Sequence, residues 1–158
     1  MRVSTPTEAF TIHTDGTATH RATGLTWQRC LAGQTFDDNA TPTDPSDDRC
    51  DGGGTEYYTW DDALAYTWDD ALAYANGLGN GWRLPNIKEL ASIVERSCWR
   101  PAINLTVFPN DPGSWVWSGS PDADGTDYAW YVYFYDGSAN YGNRDYLKLR
   151  VRVVRGGQ

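Results

Sequence analysis

Alternating hydrophobic and polar positions predict short β-strands at both ends of the chain. Near the start, residues 10–13 and 17–20 flank Thr14-Asp15-Gly16, which predicts a β-hairpin with an Asp-Gly turn. A third strand is expected at residues 25–30. After residue 101 no segment has convincing helical periodicity, and further strands are predicted at residues 115–118, 128–135 and 147–154.

Helical patterns occupy the middle of the chain. Residues 59–66 and 67–74 are identical copies, each beginning with Thr and two acidic residues that suit a helix start. Because eight residues make about 2.2 turns, the two copies cannot present the same face to the core. The second copy is the better candidate for a docked helix, and the first either extends that helix or protrudes. Asn86 and Glu89 predict a capping box for a second helix to about residue 96. The whole pattern is α+β.

A polar segment between two cysteines separates these regions. Residues 37–54 are rich in Asp, Thr, Pro and Gly and are predicted to be loop. We favour a disulfide between Cys30 and Cys50, which implies an oxidising compartment; pairings with Cys98 are the alternatives. With two histidines and no Cys-x-x-Cys, no zinc site is expected. The acidic stretches 37–39 and 44–51 leave calcium binding open as an alternative to plain solvation, and no other cofactor is indicated.

Composition and charge narrow the functional classes. The 158 residues suit a single domain, residues 1–158. The net charge of -8 argues against a nucleic-acid partner, since phosphate binding needs a basic surface. The basic residues that alternate with apolar ones after residue 143 are expected on a solvated strand face. No apolar run approaches the ~20 residues of a membrane helix, and no signal peptide is visible at Met1.

The most informative stretch is residues 128–135, in which Trp130, Val132 and Phe134 alternate with three tyrosines. The alternation predicts a core face and an outward row of Tyr131, Tyr133 and Tyr135. Asp, Ser, Gly and Asn surround this stretch on both sides, and the mixture is typical of antibody binding surfaces. The alternative is a twisted hairpin whose loop is merely rich in turn-forming residues.

Several separated motifs resemble one family. The chain resembles bacterial DUF1566 domains, which are similar to the C-terminal domain of a Legionella collagen-like adhesin. The motifs that carry the resemblance occur in the same order as in that family, at residues 23–30, 67–72, 81–90, 108–110, 117–118 and 151–156. The resemblance implies a C-type-lectin-like fold with two helices and a twisted antiparallel sheet, in an extracytoplasmic or cell-surface protein. Val153 stands where the family often has Cys, so the partner of Cys98 stays open. The duplicated segment departs from the family pattern.

A narrower resemblance is to the variable proteins of diversity-generating retroelements, in which adenine-directed copying rewrites the 3′ end of a gene. Asn codons of the template then become Tyr, Asp, Ser, Gly, Thr and other residues. Trp130 is not reachable in this way. This resemblance implies a variable binding region at about residues 115–148. The expected ligand-binding residues are Asp122, Asp124, Thr126, Asp127, Tyr131, Tyr133, Tyr135, Asp136, Ser138, Asn140, Tyr141, Asn143, Arg144, Asp145 and Tyr146.

Three functions compete. The first is a diversified ligand-binding domain for a protein or other surface ligand. The second is an ordinary adhesin or sugar-binding domain without diversification, and a packing role for the tyrosine face in an oligomer is related to it. The third is an enzyme related to the formylglycine-generating enzyme, but that chemistry needs a thiol pair late in the chain and no Cys follows Cys98. We expect no enzymatic activity, no catalytic residues and no membrane insertion. The ligand and the oligomeric state are not predicted.

Overall fold

The structure is a computed structural model that describes residues 3–52, 65–125 and 127–157. Two α-helices and antiparallel strands confirm the α+β class. The elements are β1 (Phe10–Ile12), β2 (Thr17–His20), β3 (Leu25–Gln28), β4 (Thr35–Asp37), β5 (Arg49–Asp51), α1 (Trp68–Leu78), α2 (Ile87–Ala91), β6 (Trp115–Pro121), β7 (Tyr128–Tyr133), β8 (Ser138–Asn143) and β9 (Val154–Gly156).

The N-terminal sheet has the strand order β1-β2-β3-β9, with every neighbouring pair antiparallel. The predicted hairpin is confirmed, and Phe10 lies opposite His20 in its register. Gly16 has a φ of 84°, and a Cβ there would lie 3.0 Å from the Phe36 ring. The turn therefore needs glycine for both its backbone conformation and its close packing.

The segment between the two cysteines is only partly loop. A disulfide joins Cys30 to Cys50, the pairing that the sequence favoured. Cys50 belongs to β5, which lies in the segment predicted to be loop and pairs with β4, a strand that ends where that segment begins. The prediction of continuous loop was wrong here, because this local pairing outweighs the high content of turn-forming residues.

Helix α1 is formed by the second copy of the duplicated segment, as predicted. The Thr67 hydroxyl accepts a hydrogen bond from the Asp70 N–H, as a helix N-cap does. Trp68, Ala71 and Ala75 are buried at positions i, i+3 and i+7, which places them on one face of the helix. Residues 59–64 of the first copy lie outside the described residues.

Helix α2 begins with the predicted capping box but ends at Ala91 instead of residue 96. After this residue the N–H groups of Ile93 and Val94 bond to carbonyls three residues earlier, and the helix tightens into turns. The tightening directs Glu95 toward the N-terminal segment, a contact between distant residues that helical periodicity cannot reveal.

The closing segment, residues 149–153, runs between the two larger sheets. It was predicted to be a strand with a solvated basic face, and this was wrong, because Arg150 and Arg152 are buried. The Arg152 guanidinium donates to Asp111 and to the carbonyls of Gln28 and Arg29. Burial lowers the pKa of Arg152, and the charge of Asp111 opposes that shift.

Buried residues form two hydrophobic clusters. Core cluster 1 contains Trp27, Leu90, Phe108 and Phe134 and lies between the N-terminal sheet, α2 and the C-terminal sheet. Core cluster 2 contains Trp117 and lies between α1, the closing segment and the opposite face of the C-terminal sheet. The C-terminal sheet therefore has apolar packing on both faces, which sets where its side chains can be exposed.

The buried carboxylate of Glu95 fixes the N-terminal segment. It accepts hydrogen bonds from the N–H and hydroxyl groups of Ser4, Thr5 and Ser97. Burial alone would raise the pKa of Glu95, but these hydrogen bonds hold it well below its usual value. Because its pKa is lower in the folded protein, the charged carboxylate stabilises the fold at pH values above 4.5, the pKa of Glu in the unfolded chain. This contribution is lost as the pH falls below 4.5.

We therefore predict that Glu95→Gln lowers the free energy of unfolding by about 3 kcal/mol at neutral pH, since an amide group places a donor against backbone donors. The difference between wild type and variant should shrink as the pH falls below about 4.5, where the wild-type carboxyl begins to lose its advantage. Urea unfolding of both proteins across this pH range measures the effect. A difference that stays constant with pH would contradict a role for the charged form.

Candidate ligand-binding surface

The C-terminal sheet is a three-stranded meander in which β7 pairs with β6 on one side and β8 on the other. The register between β6 and β7 shifts between Trp117 and Pro121, and the register between β7 and β8 is continuous from Tyr128–Asn143 to Tyr133–Ser138. Strand β8 was not predicted, because its Ser, Asn and Gly residues suggest turns. It carries the predicted site residues Ser138, Asn140, Tyr141 and Asn143.

The predicted outward row of tyrosines lies on the correct face, but that face is covered. Val132 and Phe134 pack into core cluster 1, as the alternation predicted. Tyr131 points to the opposite side, yet it is only 7% exposed and belongs to core cluster 2 with Trp117. The outward position predicted for Tyr131 was therefore wrong. The error came from assuming one solvated sheet face, while here helix α1 and the closing segment cover that face.

The remaining tyrosines of that row belong to a ladder of aromatic rings. Trp115 stacks on Tyr131 with ring centroids 4.9 Å apart, and it contacts Tyr133 at 5.5 Å. Tyr133 in turn lies 5.5 Å from Tyr135. The Arg100 guanidinium lies 5.2 Å from the Tyr135 ring centroid. Tyr133 and Tyr135 are half-buried, so they combine packing in the ladder with partial access to solvent.

A second group of rings lies on the other face of the sheet, where β7 begins. The Tyr141 ring contacts Trp130 at 5.2 Å and Tyr128 at 6.1 Å, both with edge-to-face geometry. Tyr128 is 41% exposed, Tyr141 is 50% exposed and Trp130 is half-buried. We call Tyr128, Trp130 and Tyr141 the aromatic cluster.

Two members of the aromatic cluster were not predicted from the sequence as site residues. Trp130 was assigned to the core because it shares the alternate positions of Val132 and Phe134, and it does lie on their face. Core cluster 1 contains Val132 and Phe134 but not Trp130. Tyr128 lies two residues before Trp130, on the same face of the strand, and was not predicted as a site residue.

The loop of residues 122–127 lies beside the aromatic cluster. The Asp122 N–H donates to the Tyr128 carbonyl, and the Tyr128 N–H donates to the Gly125 carbonyl. A Cβ at Gly125 would lie 2.8 Å from the Tyr128 ring, so the ring lies directly against the loop. Asp124 and Asp127 are exposed, Asp122 is half-buried, and Thr126 lies outside the described residues.

The residues after β8 extend the same end of the sheet. The Asn143 side-chain carbonyl accepts from the N–H groups of Asp145 and Tyr146 and holds a tight turn. Tyr146 is 78% exposed. The Arg144 side chain does not reach into solvent as expected, because its guanidinium lies 4.5 Å from the centroid of the Trp68 ring on α1.

The turn between β7 and β8 lies at the opposite end of the sheet. Hydrogen bonds from the Ser138 N–H and hydroxyl lower the pKa of Asp136 and fix this turn. Tyr128 and Tyr133 are five positions apart, about 17 Å along a strand. The predicted site is therefore divided into two ends that one small ligand cannot contact together.

We call the end that contains the aromatic cluster the cluster end, and the other the turn end. The cluster end brings together Tyr128, Trp130, Asp122, Asp124, Asp127, Tyr141, Asn143, Asp145 and Tyr146. The turn end contains Tyr133, Tyr135, Asp136 and Ser138, and Asn140 is exposed between the two ends.

The acidic stretches considered for calcium are occupied by contacts within the protein. Asp37 pairs with Arg49, Asp48 pairs with Arg29, and Asp47 accepts from the Thr41 hydroxyl. Within residues 3–52, 65–125 and 127–157, no group of three or more His, Cys, Asp or Glu side chains could hold a metal ion. A cavity of about 700 Å³ lies beside β5, but none of its lining residues belongs to the predicted site and none is aromatic.

The chain belongs to the family of Lcl C-terminal domains, whose model matches residues 16–155. Membership indicates a surface or adhesin-like domain, and the family is associated with surface or secreted proteins. No curated protein and no solved structure matches the chain. In the part of the chain that the structure describes, no helix has both the length and the apolar character needed to cross a membrane.

The division between buried and exposed tyrosines can be tested by comparing two substitutions. We expect Tyr131→Ala to lower the free energy of unfolding by about 3–5 kcal/mol, because it removes a ring packed between Trp115 and Trp117. The control Tyr141→Ala, one strand away and half exposed, should change it by only about 1 kcal/mol, the size of its two edge-to-face ring contacts. Urea unfolding followed by circular dichroism measures both values. Equal losses would contradict the assignment of Tyr131 to the core.

Proposed function

We propose that this Lcl C-terminal domain is a ligand-binding domain with a C-type-lectin-like fold, and that its binding surface is the cluster end of the C-terminal sheet. We further propose that a diversity-generating retroelement varies this surface. The ligand is a protein or another surface ligand. The domain binds its ligand on a preorganised surface and carries out no catalysis.

The observation that supports binding is the exposure of the aromatic cluster. Tyr128 and Tyr141 expose large rings next to each other, and Tyr146 adds a third exposed ring on the same end. Clustered exposed rings are costly for solubility and are enriched where proteins meet ligands. Strand pairing and ring contacts hold Tyr128 and Tyr141 in place, so little conformational entropy is lost when a ligand binds.

The observation that supports diversification is where the residues accessible from Asn codons lie. Of the positions expected to vary, Asp124, Asp127, Asn140, Tyr141, Asp145 and Tyr146 have exposed side chains, whereas Tyr131 is the buried exception. The interleaved residues Ala129 and Val132 are fully buried. Substitution at exposed positions costs little stability, so such a surface tolerates variation while its scaffold is retained.

Two alternative functions are weaker. An ordinary adhesin or sugar-binding domain would use the same rings. The DNA around the gene, not the structure, distinguishes such a domain from a diversified one. An enzyme of the formylglycine-generating type needs two thiols. Because Cys30 and Cys50 share a disulfide, Cys98 remains as a single exposed thiol, which does not suit that chemistry.

The diversification proposal predicts a specific pattern in the DNA. We expect a near-copy of the 3′ end of the gene downstream of it, with a reverse-transcriptase gene nearby. The copy should carry adenines in the codons that match exposed positions such as Asn140 and Tyr141, and should match the gene at the codons of Val132 and Phe134. Sequencing the locus provides the measurement. Absence of both the copy and the reverse transcriptase would leave the non-diversified adhesin as the function.

The tolerance of the surface can be measured without knowing the ligand. We expect a library that randomises the exposed positions 124, 127, 140, 141, 145 and 146 to remain mostly folded, because most of these changes cost about 0.5 kcal/mol or less. A matched library at the buried positions 129, 131, 132 and 134 should mostly unfold. Protease resistance of displayed proteins, followed by sequencing, counts the survivors. Similar survival of the two libraries would contradict the separation of scaffold and surface.

A further inference from the structure

We propose that the free edge of β8 binds an extended, positively charged polypeptide segment by β-strand addition, with the aromatic cluster contacting its side chains. This inference rests on the proposed function and names the class of partner. Three observations carry it: an unprotected strand edge, the rings beside that edge, and the charges around them.

Strand β8 has a neighbour on one side only, among the strands that the structure describes. The Arg144 N–H donates to the Asp127 carbonyl, which identifies these two residues as a hydrogen-bonded pair. Because such pairs alternate along an antiparallel ladder, Ala139 and Tyr141 direct their backbone groups away from β7. Ser138, Ala139, Asn140 and Tyr141 are exposed, so a partner strand can approach this edge.

Edge strands are usually protected against pairing by Lys, Pro, a bulge or an inward charge. Strand β8 has the sequence Ser-Ala-Asn-Tyr-Gly-Asn, without Pro or any charged residue, and its register with β7 has no shift. Among the described residues, the Asn140 side-chain carbonyl covers this edge locally, since it accepts from the Tyr141 N–H at 2.9 Å. That side chain is exposed and can rotate away, so the edge can accept a partner strand.

The aromatic cluster gives such a strand contacts beyond its backbone. Tyr141 lies on β8 itself, and Trp130 lies opposite it on β7. A strand added beside β8 would place alternate side chains on the same face as these rings, as in other cases of strand addition. The rings offer their faces both to apolar groups and to Lys or Arg.

The charges around the aromatic cluster select a basic partner. Asp124, Asp127 and Asp145 are exposed beside it. Arg144, the nearest basic residue in the sequence, has its guanidinium over the Trp68 ring, and Lys148, four residues further on, is exposed. The net charge of the chain is -8. A second copy of this chain would bring the same carboxylates together, so an acidic partner and self-pairing are both disfavoured.

The test uses the full chain and short fluorescent peptides as probes. The first peptide alternates lysine with valine, the second replaces lysine by glutamate, and the third is the lysine peptide with alternate backbone nitrogens methylated. Fluorescence anisotropy measures their affinities at low and at physiological salt. We expect the lysine peptide to bind at least tenfold more tightly than the other two, with affinity falling as salt increases.

Two variants locate the binding. Asp124→Asn with Asp127→Asn should weaken binding of the lysine peptide roughly three- to tenfold. The control Glu8→Gln with Asp38→Asn removes the same charge elsewhere on the protein and should change it by less than about twofold. Amide NMR should show the largest shifts at Ala139 and Tyr141 when the peptide is added.

Other results would overturn the inference. Equal affinity for the lysine and glutamate peptides would refute the charge selection, and equal affinity for the methylated peptide would refute strand addition. A concentration-dependent dimer with protected β8 amides would show that a second copy occupies the edge. If none of the peptides binds while a ligand from a glycan and protein screen is lost on Tyr128→Ala with Tyr141→Ala, the strand-addition inference fails and the proposed function stands. If that ligand is unaffected by the same variant, the proposed site fails.

Discussion

The closing segment, residues 149–153, is the constraint on which the rest of the structure depends. Its backbone bonds to Tyr66 before α1, to Trp115 on β6 and to Gln28 on β3, so it connects the C-terminal sheet with the N-terminal one. The ion pair between Arg152 and Asp111 lies at its centre and is almost completely buried. Removing either partner would leave an uncompensated buried charge, which is far more costly than losing an exposed ion pair.

This connection decides which parts of the C-terminal sheet can contact a ligand. The closing segment and α1 cover one face, and α2 with core cluster 1 covers most of the other. What stays accessible is the turn end, the end of β7 near Tyr128, the edge of β8 and the loops beside them. A sheet enclosed in this way holds its exposed residues in place, because Val132 and Tyr131 anchor the same strand from opposite sides.

The sequence predicted elements whose signals are local. The Asp-Gly hairpin, the Thr67 cap and the Asn86–Glu89 capping box each depend on residues within a few positions of one another, and each is present. The α+β class followed from the same signals. Strand β8 was missed because pairing with β7 overrides its weak intrinsic preference for strand, a dependence on tertiary context that is general for β-structure.

For the candidate site, the alternation of residues 128–135 assigned each side chain to the correct face of the sheet. It could not show what covers each face. Tyr131 is buried because residues from α1 and the closing segment, distant in the sequence, pack on it. Trp130 is half exposed although it shares a face with Val132. The period of a strand fixes the side, while burial depends on long-range contacts that no local pattern contains.

The same enclosure explains how one scaffold can carry a changing surface. Proteins are stable by only about 5–15 kcal/mol, so a surface varied at six positions, at about 0.5 kcal/mol each, could use a substantial part of that margin. The disulfide between Cys30 and Cys50 closes a loop of 20 residues, which contributes about 3 kcal/mol in the chain-entropy account. That contribution is of the same size as the loss from six unfavourable surface changes. Because the disulfide belongs to the β4–β5 region, outside the C-terminal sheet, its effect does not depend on which residues the surface carries.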